Sequence, residues 1–307
     1  MTAAAQTRPL IGYLAALGSA ALVGLFTVLN KWLLVADVPA LTAGAWTYFA
    51  AGLALLPWAL KARGLRLTRR WAFALWLLAG SVIGPSLYFI GLELTSGVQG
   101  VLMINMEAVF TACLAFAIFR ERLTLSTIFA SLAIIAGGIW MSWPEAGGSL
   151  LAGSALGNIL IALGYLGWGT ENNLGRLLGE DIPPVTLVCV KALAAGLVMG
   201  LLTLAGGNRL GVPLRVIPGI FASGAVSLGL SLALFYAAMR HIGAGRAGLI
   251  SSTSIFWGVI GALVLLSESL NSKVSVGGLL MVAGLLGFAW ETVHNAKRRQ
   301  TAAANND

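Results

Sequence analysis

The fold of this chain is decided by residues 97–143, GVQGVLMINMEAVFTACLAFAIFRERLTLSTIFASLAIIAGGIWMSW, because their layout recurs at residues 244–290. With a shift of 147 positions and no gaps, Glu121 falls on Glu268 and Trp143 falls on Trp290. Each copy has a long apolar segment, a short acidic turn and a second apolar segment with an Ala-Gly pair. Internal similarity at a fixed spacing indicates a repeated architecture.

A second match lies upstream of these segments. Asp37-Val-Pro39 and Asp181-Ile-Pro183 are 144 positions apart, which is nearly the same register. The chain is therefore predicted to consist of two similar halves, residues 1–148 and 149–294. The remaining residues, 295–307, are polar and are predicted to form a disordered cytoplasmic tail.

The composition indicates that lipid surrounds most of this chain. Of its 307 residues, 58% are hydrophobic and 10% are charged, and the mean hydropathy is +0.90. Soluble proteins carry about 25% charged residues. Apolar runs of about 20 residues, long enough to cross about 30 Å of hydrocarbon, recur along the chain. The sequence therefore predicts an all-α polytopic membrane protein.

Ten transmembrane helices are predicted, five in each half. Those of the first half are Leu10–Val35, Ala40–Leu60, Trp71–Leu94, Val98–Phe119 and Leu123–Trp143. Those of the second half are Leu151–Leu178, Pro184–Ala205, Pro213–Arg240, Gly245–Leu266 and Val274–Val293. The connections between them are short and often contain Pro or Gly.

Lysine and arginine in the connections predict the orientation, because cytoplasmic loops are enriched in these residues. With the N-terminus in the cytoplasm, ten spans place 14 of them on the cytoplasmic side and 3 outside. The cytoplasmic set is Arg8, Lys61, Arg63, Arg66, Arg69, Arg70, Arg120, Arg122, Arg176, Arg240, Arg246, Lys297, Arg298 and Arg299. The external set is Arg209, Arg215 and Lys273. Both termini are therefore predicted to be cytoplasmic.

An odd number of spans in each half has a geometric consequence. The second half enters the membrane from the opposite face, so the two halves are predicted to be inverted repeats. Inverted repeats are the usual architecture of alternating-access transporters, which hold their substrate near the membrane midplane. The predicted function is therefore transport of a small molecule through a cavity between the halves.

The motifs resemble those of the drug/metabolite transporter superfamily, and within it the EamA-type exporters. The resemblance rests on the Asp-x-Pro turns, on Glu121-Arg-Leu-Thr124 after the fourth span and on Ala136-Gly-Gly138 in the fifth. The resemblance implies export of small metabolites such as amino acids across the bacterial inner membrane. The EamA-type exporters include the branch that exports aromatic amino acids. Members often have Pro midway along the fourth and ninth helices, where this chain has Glu107 and Ser254.

Glu107 is the most informative charge within the predicted spans. It lies roughly 15–18 Å from either end of its helix at 1.5 Å per residue, which places it at the membrane midplane. A carboxylate costs about 2.5–3.5 kcal/mol at that depth. Glu107 is predicted to line the cavity and bind an ammonium group or a proton. The alternative is a protonated carboxyl that is hydrogen-bonded to a neighbouring helix.

Glu171 and Lys191 form a second set of buried charges. They lie at similar depths on consecutive antiparallel spans, so they are predicted to form a structural ion pair. A functional role of this pair is the alternative. Lys31, Glu93 and Arg240 lie nearer to helix ends, from which long side chains reach the membrane interface.

Aromatic and hydroxyl residues share or adjoin helix faces with small residues in the third, sixth and ninth spans. Such faces suit a cavity for a moderately apolar, zwitterionic ligand, although small-residue stripes also serve helix packing. The predicted substrate-binding residues are Ser81, Tyr88, Asn105, Glu107, Trp168, Ser251, Ser254 and Trp257.

Other classes of function find less support in the sequence. Cys113 and Cys189 lie in apolar runs, and His241 and His294 lie near span ends, so neither a metal site nor a catalytic pair is predicted. No P-loop is present, and no cofactor or nucleic-acid partner is expected. A lipid flippase, or a flippase for a lipid-linked substrate, and a multidrug exporter remain alternatives. The substrate, the coupling ion and the oligomeric state stay open.

Overall fold

Helices make up every regular element of the described residues. The computed structural model describes residues 9–62, 69–120, 123–144, 148–178 and 182–304. Several residues used in the sequence analysis lie outside these ranges: Arg8, Arg63, Arg66, Glu121, Arg122 and Asp181.

The first half contains seven α-helices. They are α1 (Pro9–Val35), α2 (Ala40–Lys61), α3 (Arg70–Leu77), α4 (Gly84–Leu94), α5 (Gly97–Leu102), α6 (Asn105–Phe119) and α7 (Leu125–Ser142). A π-helical stretch, Leu78–Ile83, joins α3 to α4. The predicted third span is therefore α3 to α4, and the predicted fourth span is α5 and α6.

The second half has the same order. It consists of α8 (Gly153–Leu178), α9 (Pro184–Ala205), α10 (Ile217–Phe221), α11 (Ser231–Ile242), α12 (Ala244–Ser251), α13 (Ser254–Leu265) and α14 (Ser272–Ala304). A 3-10 turn, Leu214–Val216, precedes α10. A π-helical stretch, Ala222–Leu230, joins α10 to α11. Each half thus has π-helical backbone in its third predicted span, which marks functional sites in many helices.

Nine helices of the described chain are long and apolar enough to cross a membrane. They correspond to nine of the ten predicted spans. The remaining one, the sixth span α8, is also long, with 26 residues, but it is more polar than the others. Its side chains Asn158, Glu171 and Asn173 are buried, and Asn172 and Arg176 line a cavity.

The fourth and ninth predicted spans break midway without proline. In the fourth span, the N–H of Glu107 bonds the carbonyl of Ile104 at 3.1 Å, and Asn105 Nδ2 donates to the carbonyl of Leu102 at 3.1 Å. In the ninth, Thr253 Oγ1 donates to the carbonyl of Ile250 at 2.7 Å. Polar side chains that bond nearby carbonyls compete with the helical ladder. They explain why α5 and α12 end where they do.

The two halves pack against each other through matched helix pairs. Helix α2 packs against α9, and α7 packs against α14. Helix α8 packs against α4 and α6, and α1 packs against α11 and α13. Glycines bring α7 and α14 together: a Cβ on Gly137 would lie 2.5 Å from the carbonyl oxygen of Gly277, and one on Gly277 would lie 2.7 Å from that of Gly137.

The end of the chain differs from the expected disordered tail. Helix α14 continues to Ala304, beyond the predicted end of the tenth span at Val293. Its added turns are rich in Ala, Lys, Arg and Gln, which favour helix. Extending an existing helix avoids the cost of a new nucleus, so these polar residues continue α14.

Candidate functional site

Residues from both halves line a central cavity with two compartments. The serine compartment, of about 300 Å³, has hydroxyl side chains in its wall: Ser19, Ser231 and Ser251. The aromatic compartment, of about 190 Å³, has rings in its wall: Phe26, Tyr165 and Trp168. Five residues line both compartments: Val23, Tyr48, Glu171, Lys191 and Leu228. The shared wall makes the two compartments parts of one central cavity.

A larger side cavity, of about 730 Å³, adjoins the aromatic compartment. Residues of α6, α8, α12, α13 and α14 line it. Ile104, Glu107 and Asn172 line both the side cavity and the aromatic compartment. Glu107 and Asn172 therefore stand where the two spaces meet.

Helix α8 supplies the polar wall of these spaces. Trp168, Glu171 and Asn172 line the aromatic compartment, and Arg176 lines the side cavity. Their spacing of three, four and eight residues from Trp168 places them on one helical face. Glycines on an adjacent face, Gly164 and Gly167, pack closely against Gly84 and its neighbours.

Glu171 and Lys191 form an ion pair in the wall of the central cavity. Lys191 Nζ lies 2.6 Å from Glu171 Oε2, and the two side chains are 20% and 9% exposed. The same ammonium lies 5.9 Å from the centre of the Trp168 ring, within the range of a cation–π contact. The two charges are thus paired with each other while both still face the cavity.

Glu107 is held by a single amide. Asn172 Nδ2 donates to Glu107 Oε1 at 2.8 Å and approaches Thr111 Oγ1 at 3.3 Å. Glu107 lies in the first turn of α6, because the fourth predicted span breaks just before it. A helix N-terminus interacts favourably with a negative charge. The break therefore provides a setting for a carboxylate midway through the span.

Aromatic rings surround the aromatic compartment in two layers. Trp168 and Tyr165 lie in the wall, with ring centres 5.0 Å apart. Tyr88 lies behind Trp168, 5.3 Å away between ring centres, and its hydroxyl bonds Thr27 Oγ1 at 2.8 Å. Tyr88 therefore supports the wall from the second layer.

The remaining predicted site residues fall in different places. Asn105 and Ser254 line the side cavity, and Ser251 lines the serine compartment. Ser81 is buried in the first π-helical stretch and has no hydrogen-bond partner among the described residues. Trp257 is 41% exposed and is absent from the described cavity walls. Its neighbour Gly258 packs on Val101 and Gly24, which turns Trp257 outward.

Several wall residues were not predicted from the sequence, and Tyr48, Tyr165 and Asn172 are among them. Tyr165 and Asn172 lie three residues before and four residues after Trp168, so the same helical periodicity would have found them. Tyr48 lies on α2, where no polar stripe marks it. Only the packing of α2 against α9 brings Tyr48 to Lys191.

Comparison with known proteins identifies the family. A family model described as the EamA-like transporter family matches residues 10–143 and 155–290. The chain belongs to this family. The resemblance seen in the sequence motifs is confirmed at that level, and the protein is a multi-pass membrane transporter.

Two further similarities extend over most of the transporter. A protein of Methanothermobacter thermautotrophicus named an uncharacterized transporter is 28% identical over 303 residues, covering 93% of this chain and 88% of the relative. A protein crystal structure matches with a TM-score of 0.63 and 16% identity, covering 92% of this chain and 98% of the other. At that identity the structural match shows a shared fold.

Proposed function

We propose that the transporter exports small zwitterionic metabolites, most favourably neutral amino acids with apolar or aromatic side chains, across the bacterial inner membrane. One observation carries this proposal: charges of both signs line one cavity, whose wall also holds aromatic rings, hydroxyls and aliphatic side chains. Glu107 offers an anion, and Lys191 offers a cation beside Glu171. Rings such as Trp168 suit an apolar side chain.

Ten spans in two inverted halves account for several matched features. In the order of elements, α1 corresponds to α8, α4 to α11 and α6 to α13. The contacts of α8 with α4 and α6 therefore correspond to those of α1 with α11 and α13. Both halves have π-helical backbone in the third span and a break in the fourth. Arg120 and Ser267, which are 147 positions apart, both adopt a φ of 53°. These matches support the inverted repeat, with α8 as the sixth of ten spans.

Contacts at the turn between α4 and α5 are proposed to close one end of the cavity. The Glu268 carboxylate accepts hydrogen bonds from the backbone N–H groups of Gly97 at 2.6 Å and Val98 at 2.8 Å. Lys31 Nζ donates to the carbonyl oxygens of Leu92 at 3.0 Å and Glu93 at 3.2 Å. Both side chains thus hold the turn between α4 and α5, Glu268 from the second half and Lys31 from α1.

The held turn suggests how alternating access would work. Glu268 follows Ser267, whose left-handed backbone is strained for a residue with a side chain. Strained backbone at a contact between two bodies is typical of elements that switch. In the proposed cycle, release of Glu268 from α5 opens this end to the external side, and the central cavity closes at the other.

Counterflow tests this function directly. Purified transporter in liposomes preloaded with unlabelled substrate should accumulate labelled leucine and phenylalanine, and should not accumulate a labelled sugar. Exchange of a lipophilic organic cation without exchange of amino acids would instead favour a multidrug exporter. Movement of labelled phospholipid between leaflets without amino-acid exchange would favour a flippase. Either result would overturn the proposed substrate class.

A further inference from the structure

The ion pair of Lys191 and Glu171 lies in a cavity wall, whereas a pair with a purely structural role would not need contact with a cavity. It forms part of the wall shared by both compartments of the central cavity. A lysine ammonium has three donors, and Glu171 Oε2 accepts one of them. Lys191 therefore retains hydrogen-bonding capacity toward the cavity while its charge is held in place.

Among its described lining residues, the aromatic compartment has one cation that can pair with the carboxylate of a zwitterion. Glu107 and Glu171 supply two carboxylates to its wall, whereas Lys191 is the one cation among its described lining residues. An amino acid whose ammonium group binds Glu107 brings a carboxylate into the same small space. Lys191 is the group of opposite charge there.

A buried hydroxyl without a described hydrogen-bond partner lies in the wall of the same compartment. Ser227, in the second π-helical stretch, lines the aromatic compartment and is only 1% exposed. Its Oγ has no hydrogen-bond partner among the described residues. Buried hydroxyls are normally hydrogen-bonded, and one left without a partner in a cavity wall needs an explanation. An oxygen of a ligand in the aromatic compartment, whose wall also contains Lys191, would supply the missing bond.

We propose that Lys191 and Ser227 form the subsite for the substrate's carboxylate, with Glu171 as a positioning residue that holds the Lys191 ammonium. This inference rests on the proposed function and assigns the two ends of the substrate: ammonium at Glu107, carboxylate at Lys191. The substrate class is thereby narrowed to α-amino acids with both groups free. An amine that lacks the carboxylate gains nothing from this subsite.

Gly80 leaves space for the Glu171 carboxylate because glycine has no side chain. A Cβ on Gly80 would overlap the carboxylate of Glu171. Trp168 Nε1 donates to the carbonyl oxygen of Gly80 at 3.3 Å, so the ring beneath Lys191 is fixed to the same residue. Gly80 therefore permits Glu171 to reach Lys191 and aligns the Trp168 ring with the pair.

The test compares leucine with leucinamide, which keeps the ammonium group but lacks the carboxylate. Counterflow of labelled leucine in liposomes is competed with either compound. The double variant Lys191→Gln, Glu171→Gln replaces both charges and leaves no single buried charge unpaired. We expect its affinity for leucine to fall roughly tenfold or more, as for loss of a charged hydrogen bond, with leucinamide competition unchanged. Lys61→Gln, at the exposed end of α2, is the matched control.

A second variant tests the same subsite in case the double variant does not fold. Ser227→Ala removes a hydroxyl that has no partner among the described residues, so it disrupts no described hydrogen bond. We expect it to weaken leucine binding roughly threefold and to leave leucinamide unchanged. Equal loss for both compounds, or no loss in either variant, overturns the carboxylate subsite. Absence of amino-acid exchange by the unaltered transporter overturns the proposed function, and this inference with it.

Discussion

Glu107 and Asn172 make one contact that links the two halves at the centre of the molecule. Glu107 belongs to α6 of the first half and Asn172 to α8 of the second, and they meet between the aromatic compartment and the side cavity. A glutamine at position 107 could keep a hydrogen bond to Asn172, because an amide also has an acceptor oxygen. The two chemical roles of Glu107, charge and hydrogen bonding, can therefore be separated by a single substitution.

Substitution Glu107→Gln tests the charge at the residue scale. We expect roughly tenfold or greater loss of affinity for both leucine and leucinamide, because both carry the ammonium group that the carboxylate binds. Competition counterflow at acidic and alkaline pH measures it. Glu93→Gln, an exposed carboxylate at the end of α4, is the control.

Two other outcomes would contradict ammonium binding by Glu107. Exchange that persists in Glu107→Gln but no longer varies with pH would assign the carboxylate to a proton. Unaltered exchange at every pH would leave Glu107 a hydrogen-bonded packing residue, the alternative raised by its depth in the sequence.

At the scale of elements, short half-helices distinguish the fourth and ninth spans from the rest. The short helix α5 begins at Gly97, where Glu268 binds its first two N–H groups. A helix that ends after six residues can tilt without bending a whole span. The break before α6 thus separates the turn held by Glu268 from the half-helix that carries Glu107.

Loss of Glu268 should open the closed end. In a cysteine-free background (Cys113→Ser, Cys189→Ala), the variant Val101→Cys places a thiol at a position that is buried beneath this end. We expect Glu268→Ala to increase its rate of maleimide labelling at least about fivefold, since two charge-assisted hydrogen bonds then no longer favour the closed state. Labelling of the purified protein, followed by mass, is the measurement.

The matched control for this experiment is Glu93→Ala, which removes an exposed carboxylate at the same end but leaves the carbonyl that Lys31 binds. Equal labelling rates in Glu268→Ala and the unaltered background would show that Glu268 only caps α5. Faster labelling in the Glu93→Ala control as well would indicate general loosening of the α4–α5 turn.

At the scale of the whole molecule, the helix pairs α2–α9 and α7–α14 join the halves on either side of the central helices. The central helices α1 and α8 each contact helices of the opposite half. Both central helices carry cavity residues, Ser19 on α1 and Glu171 on α8. This exchange of contacts is what two halves related by a two-fold axis require.

Topology mapping tests the inversion. Reporter fusions after Ser149 and after Gly207 should report an external location, and fusions after Arg66 and after Gln300 should report a cytoplasmic one. The physical reason is the concentration of Lys and Arg in the predicted cytoplasmic connections. A cytoplasmic signal from the loop near Gly207 would require an even number of spans before that loop, instead of the predicted seven, and would end the inverted-repeat proposal.

Features set by local composition and spacing could be predicted from the sequence. Hydropathy predicted the order of the helices and most of their ends, and the register between Glu121 and Glu268 identified the repeat and family motifs. The π-helical stretches and the breaks within the fourth and ninth spans were not predicted. The number of residues between Glu107 and each end of its predicted span placed it midway along that span. The helical end of α14 was missed because polarity was taken as disorder, although Ala-rich turns can extend an existing helix.

Only the tertiary structure decided which side chains meet. Glu107 and Asn172 are 65 positions apart, and Gly97 and Glu268 are 171 apart. Their contacts depend on how each helix is rotated and crossed, which ridges and small residues between neighbouring helices determine. The rotation of α13 turns Trp257 away from the cavity, and the rotation of α2 turns Tyr48 toward it. Sequence thus supplied the charges and their depth, while packing brought them together around one cavity.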